Sequence, residues 1–168
     1  MIAPTSAYLA VALCAALATA TTFTLADQSV ADETFHVPPG HDVYDIQNVA
    51  FAGKVVFPNA SDPLASGAAI ALKNVSSEAG VVFPTALDRV ALSVDGLRVA
   101  LAGPDADKYV AYVDFQAEVA NSDITLLDYA SLGWGDAVMF RAAIVDSNVT
   151  VDGGRIFNGG MVFSAKNG

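Results

Sequence analysis

Two histidines, His36 and His41, are the only imidazoles in the sequence, and they flank Val37-Pro38-Pro39-Gly40. A tight turn there would let both rings reach one zinc or copper ion, with Asp42 or Asp45 as third ligand. The competing reading is two polar residues in a stiff, polyproline-like linker. Aspartate outnumbers glutamate by 15 to 3, and Asp62, Asp95, Asp105, Asp107 and Asp152 all fall in turn-like stretches. Calcium is held by loop carboxylates of this kind, so Asp105 and Asp107 are the candidate calcium ligands; apart from that cation no cofactor is expected. No EF-hand continuation follows them, and aspartate is also an ordinary turn former. As a carboxylate pair for glycoside hydrolysis, the same two residues are too generic to define a site.

Trp134, between Gly133 and Gly135, is the only tryptophan. It is a candidate platform for stacking a sugar ring, set against the alternative of a plug at the end of the core. Three Asn-x-Ser/Thr triplets begin at Asn59, Asn74 and Asn148, which makes these the glycosylation candidates of an exported chain.

The patterns of other chemistries are missing. There is no Gly-x-Ser-x-Gly elbow, no phosphate-binding Gly-x-x-x-x-Gly-Lys and no Gly-x-Gly-x-x-Gly. The single cysteine, Cys14, lies in an apolar run, so removal of that run leaves no thiol, disulfide or sulfur-ligated metal. The expectation is therefore a protein that is not an enzyme.

Residues 1–26 contain no Asp, Glu, Lys, Arg or His. Ala7 to Ala20 is apolar and ends Ala18-Thr19-Ala20, a small-x-small pattern of the kind read by signal peptidase. The run is short of the roughly 20 apolar residues that a membrane span needs. Residues 1–20 are accordingly expected to be a signal peptide, with an alternative cleavage after Ala26 and no membrane span in the mature chain. Thr21-Thr-Phe-Thr-Leu25 then alternates polar and apolar residues. It is either the first strand of the domain or a strand donated to a neighbouring copy through Phe23 and Leu25.

The elements that would position these residues read as β-structure. Val90 to Leu101 consists of two alternating runs around Asp95-Gly96, which predicts a hairpin on a type I′ turn with Val90, Leu92, Val94, Leu97, Val99 and Leu101 on one face. Tyr109 to Val119 alternates in the same way, with Asp114 on the solvent side. Ser122 to Tyr129 could form a turn or two of helix. Two segments look alike, Ala52-Gly-Lys-Val-Val-Phe-Pro58 and Ala79-Gly-Val-Val-Phe-Pro84. With two copies at an irregular gap, they read as proline-ended edge strands rather than a solenoid repeat. Strands every 8–12 residues or so, broken by Gly, Pro, Asn and Asp, predict an all-β, antiparallel β-sandwich, Ig-like or jelly-roll-like. The expected organisation is a strand and linker over 21–42 and a sandwich domain over 43–168.

The 168 residues carry 18 acidic against 8 Lys and Arg, a net charge of -10 that argues against nucleic acid as partner. With 54% hydrophobic residues, disorder is excluded as well. The functional expectation is a secreted or cell-surface structural or adhesive protein, a homo-oligomer or polymer of the kind that builds extracellular filaments by strand donation. The alternative is an extracellular module for a surface glycan or for calcium.

Overall fold

The computed structural model describes residues 20–100, 112–134, 138–158 and 161–163. Every strand pairing among them is parallel. The chain winds into a β-solenoid of about five turns, not an antiparallel β-sandwich.

Three faces run the length of the coil. The first stacks β1 (Thr22–Val30), β3 (Val43–Phe51), β5 (Ala69–Lys73), β9 (Ala91–Asp95), β13 (Asp123–Leu127) and β17 (Asn148–Asp152). The second takes the latter parts of β1 and β3 and adds β6 (Ser76–Ser77), β10 (Arg98–Val99), β14 (Ala130–Trp134) and β18 (Arg155–Asn158). The third stacks β2 (Thr34–His36), β4 (Lys54–Val56), β7 (Val81–Phe83), β11 (Val113–Phe115), β15 (Val138–Phe140) and β19 (Met161–Phe163). A short ladder of β8 (Leu87–Asp88), β12 (Val119–Ala120) and β16 (Ile144–Val145) precedes the return to the first face.

Left-handed residues make the corner between the first two faces. Asp27, Asn48, Asn74, Gly96, Asp128 and Gly153 all have φ between 43° and 76°. Asn, Asp and Gly tolerate this region far better than other residues, which explains why these types recur there. A second set, Gly67, Arg89, Asn121 and Asp146, turns the chain back onto the first face with φ of 46° to 85°.

Inside, like residues stack at 4.7–4.9 Å or so, the parallel strand spacing. Tyr44, Ile70, Leu92 and Ile124 form one buried column, and Ile46, Leu72, Val94 and Leu126 another. On the third face Phe57, Phe83, Phe115, Phe140 and Phe163 stack with centroids 4.5, 5.1, 4.6 and 5.3 Å apart and planes within 19° of parallel. Each aromatic pair contributes about 0.5–1.5 kcal/mol beyond the area it buries.

Several sequence expectations are corrected by this topology. Val90, Leu92, Val94, Leu97 and Val99 are all buried, and Leu101 lies outside the described residues, but β9 and β10 do not pair with each other. Asp95-Gly96 is a corner, with only Gly96 left-handed, so the two strands lie on different faces and each bonds to the coils above and below. A hairpin and a corner place the same residues inside, so alternation alone does not choose the partner. The look-alike segments are consecutive interior rungs β4 and β7, not edge strands, with Val55 opposite Val81 and Val56 opposite Val82. Ser122 to Tyr129 holds strand β13 rather than a helix. Residues 22–36 form the first coil of the stack, since β1 pairs with β3 and β2 with β4.

Candidate functional site

The polar side chains on the outside form ladders between coils. At the first corner, Asn74 Nδ2 donates to Asn48 Oδ1 at 2.9 Å, and Asn48 Nδ2 donates to Asp27 Oδ1 at 2.8 Å. Farther along, Arg98 on β10 reaches the corner residue of the following coil, donating to the Asp128 carbonyl and, at 3.1 Å, to its carboxylate Oδ2. At the second corner Asp88 accepts from Asn121 Nδ2 at 3.0 Å and from Ser66 Oγ at 2.9 Å. The Asn121 amide and then the Ser66 hydroxyl hold the Asp88 carboxyl below the usual carboxylate range.

Asp114 is the exception among these outward polar residues in being buried. It was expected on the solvent side, yet it is 5% exposed between Val82 and Met139 on the outer side of the third face. Arg141 meets its carboxylate with two nitrogens, at 2.6 and 3.1 Å, and Gln116 Nε2 donates to it at 2.9 Å. A buried carboxylate needs such compensation, and the bidentate guanidinium provides the strongest form of it. The pairing joins consecutive coils 27 residues apart and is invisible in a linear reading.

A shallow cleft of about 430 Å³ runs along the second face beside Val30, Phe51, Ser77 and Glu78. Ser77 lies at its base with its hydroxyl spent, donating to the Gly53 carbonyl at 2.7 Å and accepting from the Gly80 amide at 2.8 Å. Nothing in this arrangement activates a nucleophile, because no base contacts that hydroxyl among the described residues.

The two ends of the stack are the most distinctive surface. At the C-terminal end Phe163 is 58% and Met161 42% exposed, although the four phenylalanines that precede Phe163 in its column are buried. At the N-terminal end β1 pairs with β3 alone among the described residues, and Phe23 and Leu25 are partly buried against the core. The backbone groups on such a free edge are a template for pairing with another chain.

The residues singled out in sequence do not gather into one site. Asp105, Asp107 and Cys14 lie outside the described residues. Trp134 ends strand β14, and its side chain lies outside what is described. His36 lies on β2, while the His41 ring packs between Phe23 and Tyr44, each centroid 5.8 Å away. Among the described residues no three of His, Cys, Asp and Glu are grouped to hold a metal ion. Asn59 is exposed in the loop after β4, where its Oδ1 accepts from the Ser61 amide at 3.0 Å. Asn74 belongs to the corner ladder, and Asn148 Nδ2 donates to Asp123 Oδ1 at 2.9 Å. Among the described residues no helix is long and apolar enough to cross a membrane.

No family model, curated protein or solved structure matches the chain.

Proposed function

We propose that this chain is an exported structural protein, a rod-shaped unit of an extracellular or cell-surface assembly that works by adhesion or polymerisation rather than by chemistry. The observation that carries the reading is an apolar column that runs through the described coils and emerges at Phe163. An exposed, stackable end of this kind is what a heterologous, non-closing contact requires. The segment Thr21–Leu25 pairs with β3 of its own chain, so its free edge, rather than a detached strand, would meet a neighbour.

The geometry at Thr21 supports export with cleavage after Ala20. The Thr21 nitrogen lies 2.8 Å from Asp42 Oδ2, and its hydroxyl 3.1 Å from the same oxygen. Cleavage there would place the new amino group on that carboxylate. Cleavage after Ala26 would instead remove the part of β1 that pairs with Val43–Gln47.

Expression of the full chain in a secreting host tests both points. The expected result is protein in the culture fluid that begins at Thr21 by mass spectrometry and forms fibres by electron microscopy. A protein retained in the cell, or one that stays a monodisperse monomer at every concentration, overturns the proposal.

A further inference from the structure

We propose that the C-terminal coil of one copy, β17–β19, stacks in register on the N-terminal coil, β1–β2, of a second copy, and that Arg155 of the first pairs with Asp27 of the second. The partner is thus another molecule of this chain, added head to tail. The inference rests on the filament reading above and specifies its interface.

Register is the first support. The distance from the start of the first-face strand to the inward position of the third face varies along the stack. It is 12 residues from Val43 to Val55 and from Ala69 to Val81, 22 from Ala91 to Val113 and 15 from Asp123 to Val138. In the two end coils it is the same, 13 from Thr22 to Phe35 and 13 from Asn148 to Met161. One constant offset therefore superposes the described first-face and third-face strand positions of the last coil on those of the first. Val149 falls on Phe23, Val151 on Leu25, Met161 on Phe35 and Phe163 on Val37. Their columns within the chain are the same, since Phe23 pairs in register with Tyr44 and Leu25 with Ile46. The corner residues also coincide, with Gly153 at φ 67° meeting Asp27 at φ 55°. Outward positions bring Thr150 to Thr24 and Asp152 to Ala26, so no like charges are set directly opposite.

Charge is the second support, because the chain contains an internal template for the contact. Arg98 follows the corner Gly96 by two residues and pairs with Asp128, the corner residue of the next coil, at 3.1 Å. Arg155 follows the corner Gly153 by two residues and occupies the same column, since Arg98 is opposite Ala130 and Ala130 opposite Arg155. The next corner beyond it is Asp27 of the added copy. Arg155 and Asp27 are both exposed, and neither forms an ion pair among the described residues.

The test uses the full chain with D27R or R155D, followed by sedimentation velocity and electron microscopy. Each single reversal sets like charges against one another at the interface and is expected to raise the concentration needed for assembly at least tenfold. An equimolar mixture of the two variants pairs opposite charges at both kinds of junction and should restore fibres. The axial repeat is expected near 29 Å, from six strand levels at about 4.8 Å each. Arg89 already occupies a left-handed position at φ 55°, so arginine is compatible with the corner; R155D should melt as the wild type and D27R slightly lower, through loss of the hydrogen bond from Asn48, and cooperative melting verifies the fold of both. F163K reports on the same interface without touching the corner and should also block assembly. Wild-type fibres unaffected by these changes, or a mixture that stays unassembled, overturn the interface. Charge-dependent assembly by a protein that remains inside the cell leaves the interface standing and defeats the export reading alone.

Discussion

Phe115 lies face to face with Phe140, ring centroids 4.6 Å apart and planes 6° from parallel. Its ring touches a phenylalanine on each side, so truncation removes two stacked contacts and opens a cavity between coils. Phe115→Ala should cost about 3–5 kcal/mol of unfolding free energy, measured by denaturant titration. Phe115→Leu, which fills much of the volume, should cost clearly less.

Asn74 serves the corner in two ways, through its φ of 52° and through its amide bond to Asn48. Asn74→Gly keeps the first and loses the second, an expected loss of about 1 kcal/mol. Asn74→Ala loses both and should cost roughly 1–2 kcal/mol more, because a left-handed alanine is strained. Equal melting temperatures for the two variants would show that backbone geometry does not govern this corner.

Gly53 packs directly under the backbone of Glu33, and a Cβ there would collide with the Glu33 carbonyl. That carbonyl also accepts the Lys54 amide at 3.0 Å, so the neighbouring coil has no room to retreat without breaking the bond. Gly53→Ala should destabilise by roughly 1–3 kcal/mol, the range for overpacking. The Lys54 amide should also lose protection in hydrogen exchange, which localises the damage.

Stability should fall in acid partly through Asp88. Its carboxyl has a folded pKa below the model-compound value of 3.8, held down first by Asn121 and then by Ser66. The stabilising contribution is therefore complete above the unfolded pKa and is lost as pH drops through the folded one. Asn121→Gly keeps the left-handed backbone at φ 51° and deletes the amide. The Asp88 titration, followed by NMR, should then move up in pH, and acid unfolding should begin at higher pH. An unmoved titration would show that the ladder does not tune this group.

Which residues point inward was legible in the sequence, and which strands pair was not. Val90, Leu92, Val94, Leu97 and Val99 were expected on one face and are all buried, because a period of two sets side-chain direction whatever the partner. Pairing depends on corner geometry, and Asp95-Gly96 suits a hairpin as readily as a corner. The solenoid had a signal in a hydrophobic-x-Phe triplet at 55–57, 81–83, 113–115, 138–140 and 161–163. Only the first two copies carry the flanking Gly and Pro, and Asp114 interrupts the valine pattern, so the recurrence was masked by its own variation. Asp27 and Arg155 draw no attention in a linear reading, since their relation exists only once coils are stacked.

Successive coils begin at Thr22, Val43, Ala69, Ala91, Asp123 and Asn148, with lengths from 21 to 32 residues, yet the stacked positions stay in register. Among the described residues, surplus positions fall between the strands, as over 57–68 between β4 and β5. The molecule is thus a ruler with a fixed graduation, in which whole coils add or subtract about 4.8 Å of length while both end surfaces are left as they are. A change of span in this architecture is a matter of copying or deleting a coil, and the size of each loop is free to vary without altering the measure.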